Sequence, residues 1–214
     1  MDKGEYILDR YIPERSICFL DYDGTLALGI HKAVAEVLNM PEINSPQVKY
    51  EASQNPEKFI KKYAPYLEGV TDPQIVAIWK ELDRNDDVIK YVNYFSSIGG
   101  NSIHILTENP LVDHMYRLRG MWGIVPEGIY PTYPLEMDEG RLVVPKGAVY
   151  TPKTDIARRI LQEGNNDLNH SKACIITDGG GLDKQLEPHL IENGFPIPHN
   201  NSKIGRVNII YLSR

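Results

Sequence analysis

Sulfur is scarce in this chain. Two cysteines, Cys18 and Cys174, stand among 214 residues, and both lie inside apolar runs. They are expected to be buried free thiols, and there is no Cys/His cluster to build a disulfide framework or a soft metal site. Positive charge is also in deficit: 23 Lys+Arg against 29 Asp+Glu leave a net charge of −6. That balance excludes a general nucleic-acid binder, which carries a basic surface, but it leaves room for a local positive pocket. No apolar run reaches the roughly 18 residues of a membrane span, and "MDKGEYILDRYIPERS" has no long apolar core. The sequence therefore predicts neither a transmembrane helix nor a signal peptide, and its sparse cysteine fits a reducing cytoplasm. There is no internal repeat and no low-complexity segment.

What remains is ordinary for a globular protein, at 42% apolar and 24% charged residues. Short apolar runs alternate with segments of helical period. "ICFLD" (17–21), "SIHILT" (102–107), "ACIITD" (173–178) and "VNIIYLS" (207–213) read as strands. Being apolar on both faces, they are expected to be parallel strands covered from both sides. "DDVIKYVNYFSSIGG" places Val88, Val92, Phe95 and Ile98 at helical spacing before Gly99-Gly100. "NPLVDHMYRLRG" predicts a helix with Asn109 as cap and Pro110 in its first turn, and "TPKTDIARRILQEG" repeats the design with Thr151 and Pro152. "DKQLEPHLIENG" is a weaker helix, because an interior Pro188 removes a hydrogen bond.

Alternating strands and helices argue for an α/β fold with a mostly parallel sheet. Residues 30–85 show helical patches, "HKAVAEVL" and "DPQIVAIWKELDR", without a confident strand. That is too long for one crossover and reads as an inserted helical subdomain over 29–85, leaving 1–28 and 86–214 as the core. Within 121–150, "LEMDEGRLVV" places two extended arms around Glu139-Gly140, a β-hairpin pattern.

Function in such a sheet collects at the carboxyl ends of the strands. In "SICFLDYDGTLALG" an apolar run ends in Asp21, with Asp23 and Gly24 just beyond. The second strand ends in Thr107, and the third in Asp178, followed by Gly179–Gly181 and Asp183. Lys153 opens the helix before that third strand. Gathered carboxylates repel one another unless a cation joins them, and with oxygen ligands alone the natural cation is Mg²⁺. Thr107 and Lys153 would then hold a phosphate. A lysine in a helix's first turn opposes the macrodipole, by roughly 0.3–1 kcal/mol, so its position favours a bound anion. A calcium loop does not fit, since Thr25 and the early Gly24 break its ligand spacing.

These residues resemble the haloacid dehalogenase (HAD) superfamily, motif by motif and in order. "DYDGTL" is similar to its first motif, "ILTENP" to its second, Lys153 to its third and "IITDGGGLD" to its fourth. The insertion falls where members with a helical cap carry it. The resemblance implies a Rossmann-like HAD core with an α-helical cap and a small hairpin. It also implies an Mg²⁺-dependent phosphatase acting on a small phosphorylated metabolite, with neither nucleic acid nor membrane as partner. Asp21 would be the nucleophile and Asp23 the general acid/base. Gly24, Thr107 and Lys153 would bind phosphate, and Asp21, Asp23, Asp178 and Asp183 the metal. The acid at position 23 favours phosphoryl transfer over dehalogenation. The hairpin looks similar to one in phosphoserine-phosphatase-like members, which points to a phosphorylated amino acid, sugar or glycolate.

Three positions depart from the pattern: Thr177 replaces a frequent glycine, Glu108 follows Thr107, and Pro152 precedes the lysine. Glu108 brings a negative charge toward the phosphate and would weaken substrate binding if it points into the site. A phosphotransferase or phosphomutase would use the same intermediate with a sugar hydroxyl as acceptor. A non-catalytic binding protein on the same fold is the other alternative. Lys146 is the rival to Lys153, and His104 reads as a packed strand histidine. In "VKYEASQNPEKFIKKYAPYLEG" the tyrosines and lysines read as a solvated helix surface. Which of Lys49, Lys58, Lys61 and Lys62 faces a ligand is left open.

Overall fold

The computed structural model describes residues 14–164, 172–178, 181–192, 194–195 and 197–213. Its strands are β1 (Ser16–Asp21), β2 (Ala27–Leu28), β3 (Asp83–Arg84), β4 (Ser102–Thr107), β5 (Gly128–Pro131), β6 (Glu136–Asp138), β7 (Arg141–Val143), β8 (Lys172–Thr177), β9 (Ile197–Ile204) and β10 (Val207–Ser213). Its helices are α1 (Ile30–Val37), α2 (Pro46–Gln54), α3 (Pro56–Tyr63), α4 (Asp72–Lys80), α5 (Asp86–Ser97), α6 (Val112–Arg119), α7 (Lys153–Gly164) and α8 (Gly181–Glu192), with short 3₁₀ turns at Pro41–Asn44 and Ala64–Leu67.

The main sheet has the order β5-β4-β1-β8-β10-β9. Strands β5, β4, β1 and β8 are parallel. In chain order these four run third, second, first, fourth, a doubly wound Rossmann-like arrangement whose direction of winding reverses between β1 and β8. The fold is thus mixed α/β with a mostly parallel sheet.

Every residue of β1 is buried. Alternation divides it between two cores: Cys18 and Leu20 pack with helices on one face, Ile17 and Phe19 with those on the other. The same split separates Cys174 and Ile176 from Ala173 and Ile175 on β8. This is why both strands read as continuous apolar runs. Cys18 and Cys174 are free and face each other in register. His104 packs its ring against Phe19 and Tyr130.

Several elements differ from the sequence reading. Strand β10 is antiparallel to β8, because a tight turn at Gly205 (φ 60°) folds β9 back onto it. Neither β9, with its polar "IPHNNSKI", nor β5, bounded by Gly128 and Pro131, carries an apolar run. Both are edge strands, where polar residues and proline are tolerated. Helix α6 begins at Val112, not near Pro110, because the Asn109 side chain accepts from Leu111 N at 2.9 Å and closes a turn first. Helix α8 runs through Pro188.

Residues 30–80 are helical, and the pairing of β2 with β3 joins the two ends of this segment. Ser45 and Asn55 cap α2 and α3, each followed by proline at the first helical position, and Thr71 with Gln74 forms a capping box on α4. The β6–β7 hairpin turns at Glu139-Gly140, both with positive φ. It docks on this segment through Gly69 N to Leu142 O and Leu142 N to Val70 O, each 2.8 Å. Among the described residues no helix is long and apolar enough to cross a membrane.

Candidate active site

The crevice beyond β1 and β8 gathers side chains from four distant stretches. Asp21 ends β1, and its Oδ1 accepts from Tyr22 N and from Lys153 Nζ, both at 2.9 Å. Its Oδ2 has no donor among the described residues. Lys153 is the first residue of α7, and both partners of this ion pair are about nine-tenths buried. The Asp21 carboxylate therefore supplies the negative charge that the helix start favours. Lys146, the rival lysine, is exposed.

Asp23 lies on the loop that leaves β1. Its Oδ2 accepts from the Thr107 hydroxyl at 3.2 Å, while Oδ1 is buried without a partner. Burial and the neighbouring Asp21 charge push its carboxyl up to about 7, against the pull of Lys153, Asn109 and Thr107. Burial also raises Asp21, with Asp178 adding to it and Lys153 opposing. For Lys153, burial favours the neutral amine, but the carboxylates of Asp21, Glu108 and Asp23 outweigh it and hold the ammonium above its ordinary value.

Thr107 ends β4 inside the site. Its single proton goes to Asp23, and its oxygen accepts from Asn109 N at 2.9 Å. In this arrangement the hydroxyl orients Asp23 and is not an open phosphate donor. Gly24 is likewise committed: its N–H donates to Ala27 O at 2.8 Å. What Gly24 contributes is space. Its φ is 77°, and a Cβ there would overlap Asp178 Oδ2. Asp178 follows β8 directly, so it sits beside the first loop. Asp183 falls in α8 with its side chain outside the described residues, and Gly179 and Gly180 lie outside them altogether.

Glu108 does line the site, but it is held. Thr132 Oγ1 donates to its Oε2 at 2.7 Å, and the Tyr150 hydroxyl lies 3.3 Å from both oxygens. Burial raises the Tyr150 hydroxyl above its ordinary range, with Glu108 reinforcing the effect. Sequence reasoning missed Thr132 and Tyr150. It also passed over the amide of Asn109, whose Nδ2 is a buried donor without a hydrogen-bond partner. This amide lies close enough to Asp23 to lower that carboxyl without completing a hydrogen bond to it.

The site opens into a cavity of about 390 Å³. Its floor is Asp21, Asp23, Glu108, Asn109, Lys153 and Asp178, and its far wall comes from α1 to α3. Phe59 and Tyr63 belong to that wall, and Tyr63 is buried, so this segment is not the wholly solvated surface its composition suggests. Of the four lysines left open, Lys49 lines the cavity, while Lys61 and Lys62 pair with Glu57 and Glu51.

Among the described residues, no three His, Cys, Asp or Glu side chains are gathered closely enough to hold a metal by themselves. The donor chemistry nonetheless suits a hard cation. The acids are oxygen donors, Asp23 Oδ1 is orphaned, and Asp178 adds a further carboxylate beside Asp21.

No family model matches the chain, and no curated protein matches it. Among solved structures it is similar to a phosphoserine phosphatase in apo form, with 14% identity and a TM-score of 0.47, covering 70% of this chain and 72% of that one.

Proposed function

We propose that this protein hydrolyses a small phosphomonoester through an aspartyl-phosphate on Asp21. The observation that carries this reading is the buried Lys153–Asp21 ion pair beside an Asp23 carboxyl pushed up to about 7. It supports a reading in which Asp21, its carboxylate form favoured by the Lys153 ammonium, is the oxygen nucleophile and Asp23 is the group that gives and takes a proton near neutrality.

Lys153 and the Tyr22 amide both hold Oδ1 of Asp21, leaving Oδ2 to attack phosphorus. As the new P–O bond forms, the bond to the leaving oxygen breaks, and protonated Asp23 donates its proton to that oxygen. Asp23 then takes a proton from water, whose oxygen attacks the same phosphorus and releases Asp21 as carboxylate. Thr107 keeps Asp23 oriented through both halves. Lys153 offsets the charge on the phosphoryl oxygens, and the Asn109 amide N–H donates to them.

Asp21, Asp23, Asp178 and Asp183 are the residues that would hold Mg²⁺. When bound, the ion supplies positive charge beside the transferring group. Residues 29–85 act in this reading as a cap on the 1–28 and 86–214 core. Their helices form the far wall of the cavity and limit the entry of water and bulky substrates.

The test is phosphate release from a phosphomonoester panel with Mg²⁺, using Asp21→Asn as the control. Release that depends on Asp21 supports the proposal. Transfer to an added hydroxyl acceptor without free phosphate would replace hydrolysis by phosphotransfer, and inactivity across the panel would favour a binding protein.

A further inference from the structure

The far wall of the cavity is made for a different kind of molecule from its floor. Ile30, Val34, Ile43, Phe59, Tyr63 and Leu67 line it. Three of the rings at this side form a ladder: His31 meets Phe59 edge-on at 6.0 Å between centroids, and Phe59 meets Tyr63 at 4.7 Å. Aromatic rings arranged this way present faces and edges to a further ring. The polar side chains on this wall are half-buried His31 of α1, which is engaged by the Ile43 backbone, and Lys49, Ser53 and Gln54, exposed residues of α2.

A phosphoamino acid or phosphosugar would set its ammonium, carboxylate or hydroxyl groups against that apolar wall. Each polar group desolvated there without a partner is penalised. Glycolate would leave most of the chamber unfilled, since about 390 Å³ falls within the range of sites for drug-sized ligands. We infer that the substrate is a phosphomonoester with an aromatic body, its ring seated on Phe59 and Tyr63 and its phosphate on the floor by Lys153. This inference rests on the phosphatase reading for the phosphate end, and on the cavity wall alone for the body.

Two phosphonates that cannot be hydrolysed separate the two claims: benzylphosphonate and the phosphonate analogue of phosphoserine, each titrated by calorimetry with Mg²⁺ present. Benzylphosphonate is expected to bind at least about tenfold more tightly, within the range by which apolar sites discriminate. Phe59→Ala should weaken benzylphosphonate by about tenfold and change the amino-acid phosphonate by less than about twofold. Phe59→Leu, which keeps an apolar side chain and guards against simple misfolding, should lose affinity in the same direction. Tyr50→Ala removes an exposed aromatic outside the cavity and should change neither. Equal or tighter binding of the amino-acid phosphonate overturns the assignment, as does a Phe59→Ala loss shared by both ligands or no binding of either.

Turnover of phenyl phosphate and phosphoserine completes the test. If benzylphosphonate binds as expected but neither ester is hydrolysed, the hydrolase reading fails and the aromatic chamber stands. If both esters are hydrolysed with no preference for phenyl phosphate, the chamber assignment fails and the hydrolase reading stands.

Discussion

Lys153 Nζ donates to Asp21 Oδ1 across 2.9 Å, joining residues 132 apart in the chain and buried together at the carboxyl end of the central strand. Removing one member of such a pair leaves a charge without water or partner. Lys153→Met should therefore destabilise the fold by about 3–5 kcal/mol. Adding Asp21→Asn should recover most of that loss, which a double-mutant cycle in urea measures. Independent, additive losses would show that the pair is not coupled.

Asp23 gives the metal-free protein a distinctive pH dependence. Its carboxyl is at about 7 in the fold and at 3.8 ordinarily, because burial and the Asp21 charge disfavour ionisation. The native state therefore binds more protons than the unfolded chain between these values. The contribution to stability is fully present below about 3.8 and is lost as pH rises through about 7. Asp23→Asn should flatten this slope and leave the chelator-treated protein more stable than wild type at pH about 8, by on the order of 2–4 kcal/mol. Denaturation midpoints across the range check it.

Thr132 and Tyr150 hold the Glu108 carboxylate, which in the proposed reaction keeps it off the phosphate. Thr132→Val with Tyr150→Phe removes both donors and frees the carboxylate to repel an anionic substrate. The expected result is a KM raised about tenfold with a smaller change in kcat. Glu108→Gln added to this pair should bring the KM back down. Steady-state kinetics on the preferred ester decide it.

Gly24 and Gly29 share nearly the same backbone, with φ of 77° and 81°, but only Gly24 has a neighbour where a Cβ would go. Alanine at Gly29 should cost about 1–2 kcal/mol, from the left-handed conformation alone. Alanine at Gly24 should cost the same and, in addition, displace Asp178 and weaken Mg²⁺ binding. Thermal melts with and without Mg²⁺ distinguish the two variants.

The sequence carried the centre of the fold because β1 and β8 are buried on both faces. Residues 17–21 and 173–177 were legible as apolar runs for that reason. Lys153 was legible because a cation at a helix start needs a reason, and Asp21 is the reason the structure gives. Strand direction was not legible: nothing within 207–213 records which way its neighbour runs, and the Gly205 turn decided it. Polar β9 carried no signal because edge strands do not need an apolar face. The cavity wall was hidden for a related reason. Phe59 and Tyr63 alternate with lysines on a short helix, so one face is buried while the composition reads as solvent-exposed. Thr132 and Tyr150 reach Glu108 from loops that no local period links to it.

The most direct measurement is on the peptide that contains Asp21. Rapid quenching during turnover of the preferred ester with Mg²⁺, followed by mass spectrometry, should find one phosphoryl group on that peptide in wild type and none in Asp21→Asn. Phosphate release by Asp21→Asn at the wild-type rate, with no phosphorylated Asp21 peptide in wild type, would contradict the account.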